Sequence, residues 1–300
     1  VCGAVERFGG EVLGSTSLWL KIAGGTKAEV LTAAACGAPR GGVLEVGTYC
    51  GYSSLRLAAA LPGVRIDTLE VDPVHVVVAR NMLAFAGLAR VVHVWTGHSG
   101  ALLPRLAAAR QKAVARGSLE LVGFAVVFMD QRGARYEEDL SLLEGCSMLL
   151  VGATVVADNV LKPGAPLFLW RVALDSRGDG GSGYFTHIAR VPEFAMPSED
   201  WMSVSVAKRW PAQKAKEATP SPPPELLGLH REAERMRRWA TASGGPGVSF
   251  AAWAAFAEEM RRGLADMGIA TAGTAGGIAP SAESRMPSLR IGRVANNMMR

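Results

Sequence analysis

The 300-residue chain is 49% hydrophobic and 20% charged, with a mean hydropathy of +0.18. That is enough to bury one large core or two small ones, and it excludes a disordered polymer. Four scattered cysteines (Cys2, Cys36, Cys50, Cys146) with no CxxC pair exclude a disulfide scaffold and a structural zinc site, and point to a reducing, cytoplasmic setting. Of the net charge of +5, residues 211–300 supply +4 (12 Lys+Arg against 8 Asp+Glu); the rest is nearly neutral, with no basic, aromatic-laced surface for nucleic acid. No 18-residue apolar run occurs, and the richest window, 148–157, is too short to span a bilayer. The chain opens on Val1 rather than Met, which leaves a leader or anchor ahead of it an open question.

From residue 41 to 159 short β-rich runs alternate with helical stretches. The predicted strands are 42–48, 65–71, 91–96, 124–130 and 153–159, dominated by Val, Ile, Leu and Phe with little polar alternation, as in strands buried on both faces of a parallel sheet. Helices are predicted over 53–60, 73–86, 102–116 and 136–149. The alternation gives an α/β fold with a doubly wound, mostly parallel sheet. A helix over 166–173, a Gly-rich turn over 178–183 and strands 184–191 and 202–208 follow, the last two as an antiparallel hairpin on the sheet edge. Residues 1–210 are thus read as one domain. Residues 211–224 hold a Pro-rich linker, 225–269 a helical extension (helices 225–242 and 250–267), and 270–300 a tail rich in Ala, Gly, Ser and Pro that is expected to be disordered.

The first informative segment runs from Val43 to Ser54. An apolar strand carrying Glu45 enters a loop with Gly47 and Gly51, and a helix starts near Ser53. The spacing is neither the dinucleotide fingerprint nor a phosphate loop. Glu70, 19 residues after Gly51, ends the second strand, where a carboxylate can accept both hydroxyls of a ribose. A ribose acceptor without a diphosphate cradle favours S-adenosylmethionine over a nicotinamide cofactor. Asp130 ends the fourth strand, and Asp158 with Asn159 the fifth. Two carboxylates and an amide oxygen are a hard, incomplete octahedral set suited to Mg²⁺.

Residues 47–54, Glu70, Asp130 and the Ala157-Asp158-Asn159-Val160 stretch followed by Pro163-Gly164-Ala165-Pro166 resemble the catechol O-methyltransferase family. The likeness runs from about Trp19 to Trp210. It implies a seven-stranded, Rossmann-like methyltransferase sheet. It also implies S-adenosylmethionine contacts from Glu45, Gly47, Tyr49, Gly51, Tyr52, Ser53, Glu70, Ser99 and Asp130, and Mg²⁺ on Asp130, Asp158 and Asn159. Glu193 would hold the second catechol hydroxyl, and Trp19 and Pro163 would grip the ring.

The chain departs from the family where Gly133 stands in place of the general-base lysine. Arg132 replaces an aromatic residue over the adenine, Gly100 a glutamine, Lys21 an apolar residue near the methyl group and Lys162 a cysteine. Either the metal alone ionises the hydroxyl, or Lys162 serves as the base, or the transfer step is lost. The expected function is Mg²⁺-dependent methyl transfer to a small catechol-type acceptor. The alternative is a catalytically weak, cofactor-binding protein whose C-terminal helices engage a protein partner.

Overall fold

The structure, a computed structural model, describes residues 1–13, 20–117, 123–173, 183–196, 198–208, 221–242, 248–269 and 271. Trp19, residues 178–182, most of the 211–224 linker and the tail from 272 lie outside them. The seven strands are β1 (Gly42–Val46), β2 (Ile66–Glu70), β3 (Val92–Thr96), β4 (Phe124–Met129), β5 (Leu149–Ala157), β6 (Tyr184–Pro192) and β7 (Glu199–Ala207). They form one sheet in the order β3-β2-β1-β4-β5-β7-β6. The pairs among β1 to β5 are parallel, and β7 runs antiparallel to both β5 and β6. The mostly parallel, doubly wound sheet and its edge hairpin match the expectation.

Nine α-helices among the described residues flank the sheet: α1 (Cys2–Arg7), α2 (Thr26–Cys36), α3 (Tyr52–Ala60), α4 (Pro73–Phe85), α5 (Ser99–Ala115), α6 (Tyr136–Gly145), α7 (Pro166–Ala173), α8 (Pro224–Thr241) and α9 (Phe250–Asp266). Local chemistry sets several starts. Asp72 caps Val74 N at 2.8 Å with Pro73 behind it, and Ser249 caps Ala252 N at 3.2 Å. Strand side chains alternate between two cores. Leu44, Val127 and Met129 meet Leu102, Leu140 and Phe168 on one face. Val43, Val126 and Phe128 meet Leu31, Leu55 and Leu83 on the other.

Several boundaries differ from the sequence expectation: β7 begins at Glu199 rather than 202, and β1 ends at Val46 rather than 48. The helix predicted over 136–149 stops at Gly145, and Leu149 already pairs with Phe124. A register shift follows, and Gly152 takes φ +76°, so β5 begins four residues earlier than predicted. Helix α5 starts at Ser99 rather than 102, because the imidazole of His98 accepts from Gly100 N at 3.3 Å. Helices α1 and α2 have no counterpart in the sequence reading.

The last two helices pack on the main core. Ala233 and Met236 of α8 and Phe256, Met260 and Leu264 of α9 belong to the same buried cluster as Phe168 and Val160. None of the described helices is long and apolar enough to cross a membrane.

Candidate active site

Strand order reverses at β1, between β2 and β4, and the crevice at the carboxyl ends of such strands is where open α/β sheets bind ligands. Gly47 and Gly51 take φ +98° and +84° there, and Tyr49 takes φ +50°. A Cβ on Gly47 would lie 2.5 Å from the Asp130 carbonyl oxygen, so only glycine lets the first loop cross the end of β4. Gly47→Ala is expected to cost ~1–3 kcal/mol, read as a lower midpoint in a urea melt; an unchanged midpoint would count against this.

Glu70 is fixed by its neighbours. Its Oε2 accepts from Thr48 N (3.2 Å) and Tyr49 N (2.8 Å), and its Oε1 from Asp72 N (2.8 Å). The carboxylate still fronts the cavity beside Tyr49 and Ser99. Glu45 lies fully buried beneath the loop. Its Oε2 takes the hydroxyls of Ser54 and Thr68, while Oε1 has no partner within hydrogen-bonding distance. Burial pushes the Glu45 carboxyl up against the pull of the Ser53, Ser54 and Thr68 hydroxyls. Glu45, beneath the loop, does not line the cavity, whereas the rigid Glu70 carboxylate at its edge fits a ligand with a ribose.

At the other end stand Asp130, Asp158, Asn159 and Glu193, all facing the same cavity of about 1420 Å³. A residue the sequence reading missed organises them. Lys27, on α2 and 0% exposed, places its Nζ 2.8 Å from Asp158 Oδ1, 2.9 Å from Glu193 Oε2 and 3.4 Å from Asp200 Oδ2. Asp200 also takes Asn159 Nδ2 at 2.6 Å, Lys162 N at 3.0 Å and Trp201 N at 2.7 Å. Burial alone would lower the Lys27 ammonium, but Asp158, Asp200 and Glu193 outweigh it and hold it well above the ordinary range.

The carboxylates remain under-compensated. Asp130, half-open to the cavity yet ringed by protein atoms, is held well above the ordinary range by burial and by Asp158. Burial raises Asp158 despite Lys27, and pushes Asp200 up to about 7. With its NH₂ on Asp200, Asn159 keeps its amide oxygen for another partner. Two strained carboxylates and a free carbonyl oxygen fit one more hard cation. Among the described residues no group of three His, Cys, Asp or Glu side chains is arranged to hold a metal ion.

Of the other predicted residues, Gly47, Lys162 and Pro163 also line the cavity. The Lys162 ammonium donates to Ser198 Oγ at 2.9 Å. Glu45, Gly51, Tyr52 and Ser53 do not line the cavity: Glu45 lies beneath the loop, Gly51 packs against Ala79, the buried Tyr52 turns its hydroxyl to Glu6, and Ser53 sits in the first turn of α3 behind the loop.

Lys27, Asp200 and Arg237 left no signal in the sequence, since each shares its element with other charges: Glu29 in α2, Glu199 in β7 and a run of Glu and Arg in α8. The Arg237 guanidinium, 5% exposed on α8, donates to the Gly164 carbonyl and occupies the space beside Gly133, where a Cβ would sit 2.6 Å from Nη2. The room the family's lysine would use is taken by an arginine from the far end of the chain.

A family profile described as O-methyltransferase matches residues 34–167. The chain is 37% identical over 156 residues to catechol O-methyltransferase of Sus scrofa, covering 51% of this chain and 75% of that protein. It is 40% identical over 128 residues to catechol O-methyltransferase B of Danio rerio, covering 42% and 45%. It spans about half the length of the first curated relatives it matches. Its fold is similar to the O-methyltransferase TomG of Streptomyces achromogenes, solved in complex with SAM, with TM-score 0.52 and 23% identity over 68% of this chain and 89% of that one.

Proposed function

The chain belongs to the catechol O-methyltransferase family, and on that premise we propose that it transfers a methyl group from S-adenosylmethionine to a hydroxyl of a catechol-type acceptor, with Mg²⁺ held by Asp130, Asp158 and Asn159. One observation carries this reading: the Glu70 end and the carboxylate end open into one continuous cavity. When bound, the sulfonium supplies the methyl group and the divalent ion lowers the cost of ionising the acceptor hydroxyl.

The chain's own residues do the rest. Glu70 anchors the ribose, and its backbone donors keep it from turning away. Ser99, at the start of α5, borders the adenine end. Lys27 holds Glu193 and Asp158 in place, so that Glu193 is positioned to accept from the second hydroxyl. The fixed walls bring acceptor oxygen and methyl carbon together, the proximity that binding energy provides in advance. Lys162, its Nζ on Ser198 at the cavity wall, is the residue we assign to take the hydroxyl proton, since Gly133 cannot.

Radiolabelled methyl transfer to catechol is expected with Mg²⁺ and not with EDTA. Lys162→Met is expected to slow it roughly 10²-fold and to flatten the rise of rate with pH. No transfer alongside intact cofactor binding would reject the enzymatic reading; an unchanged profile in Lys162→Met would remove that lysine from its role. The rival reading, a partner-recruiting C-terminal hairpin, has less support, because α8 and α9 commit Met236, Met260 and Leu264 to the core.

A further inference from the structure

The C-terminal hairpin contributes a wall of the cavity as well as core. Phe250, Trp253, Ala254 and Ala257 of α9 line it. They recur at i, i+3, i+4 and i+7, one stripe of a helix. The stripe is apolar yet open: Phe250 is 62% exposed, Ala254 is exposed and Trp253 half-buried. The indole is braced edge-on by the buried Phe256, ring centroids 5.9 Å apart, so it offers a fixed surface.

The wall is pinned to the reacting end. Arg237 of α8 donates to Gly164 beside Pro163, and Met260 of α9 packs over Gly164, where a Cβ would lie 3.3 Å from its methyl group. The docking that fills the space beside Gly133 therefore also sets α9 along the cavity that holds the carboxylates.

Size and chemistry then limit the occupant. At about 1420 Å³ the cavity exceeds the ~300–1,000 Å³ of an ordinary small-molecule pocket. A methyl donor with a bare dihydroxybenzene would leave the α9 stripe in water, whereas an apolar substituent would cover it. Beyond the stripe Arg261 is paired with both Glu199 and Glu258, so a charged substituent would have to break an ion pair to settle there.

We propose that the acceptor is a catechol-type ring bearing an uncharged, aryl-sized substituent, and that this substituent packs on Trp253 and Phe250. The proposal rests on the methyltransferase reading above. The test compares catechol with 4-phenylcatechol on the full chain. The ratio of kcat/KM is expected to favour 4-phenylcatechol by at least about tenfold. Trp253→Ala is expected to bring the ratio near one through a higher KM for 4-phenylcatechol. Phe250→Ala, whose ring is largely exposed and whose loss spares the fold, should lower it in the same direction. A ratio near one in the parent, or an unchanged ratio in both variants, overturns the proposal. Absence of transfer to either acceptor counts against the functional reading alone. Calorimetric titration with 4-phenylcatechol then decides the α9 site: binding weakened about tenfold by Trp253→Ala upholds it, and equal binding overturns it.

Discussion

Lys27→Met is expected to destabilise the protein by about 3–5 kcal/mol, the usual cost of stripping one partner from a buried ion cluster. The ammonium is 0% exposed and touches three carboxylates on three other segments of the chain. Removing it leaves the buried Asp158 and Asp200 carboxyls without the ammonium that favours their ionised forms. In a thermal melt the loss should appear as a drop on the order of 10 °C.

The sign of its pH dependence follows from the shifts. Lys27 is raised, so its contribution is complete below the ordinary lysine value of 10.5 and is lost as pH climbs through the folded value. Asp158 and Asp200 are also raised, Asp200 to about 7, chiefly by burial; each therefore costs stability as pH rises from about 4 toward its folded value. The penalty of Lys27→Met should be largest at pH 8, smaller at pH 5 where Asp200 is protonated, and partly recovered in Lys27→Met/Asp200→Asn. A penalty independent of pH, with no recovery in the double variant, would show that Lys27 acts through packing and not charge.

Asp130→Asn should separate stability from activity. Burial and the neighbouring Asp158 raise this carboxyl well above its ordinary 3.8, so the ionised form is a net cost to the fold in the absence of a cation. The amide keeps the shape and removes the repulsion. Above pH 4 the variant should be at least as stable as the parent, with the gap widening as pH rises. Transfer should nonetheless fall by roughly 10²–10³-fold, the scale of losing one charged group poised at a reacting centre. Full activity in Asp130→Asn would remove this residue from the proposed metal set; lower stability at every pH would contradict the repulsion.

The strand ends explain what could be read in advance. In a parallel sheet every strand delivers its carboxyl end to the same edge. A local motif at the end of one strand is thus brought to those at the others without knowledge of their contacts. Glu70, Asp130, Asp158 and Asn159 each sit where an apolar run stops, and the cavity gathers all four. Glycines at the first crossover were equally readable, since their backbone demand is local. Tyr52 and Ser53 belong to the same stretch, yet the turn into α3 carries them behind the loop and away from the cavity, which spacing along the chain does not resolve.

The sequence by itself determined the sheet, its winding and the acidic edge, because apolar runs, glycine turns and strand-end carboxylates act over a few residues. Tertiary structure alone decided how those charges are balanced and what encloses them. Lys27 meets Glu193 and Asp200 across 166 and 173 residues, and Arg237 reaches Gly164 across 73. Such pairs leave no periodicity, since an ammonium or guanidinium chooses its partner by where helices dock. The α9 stripe reads locally as any amphipathic helix, and only its seating over the cavity turns it into a wall.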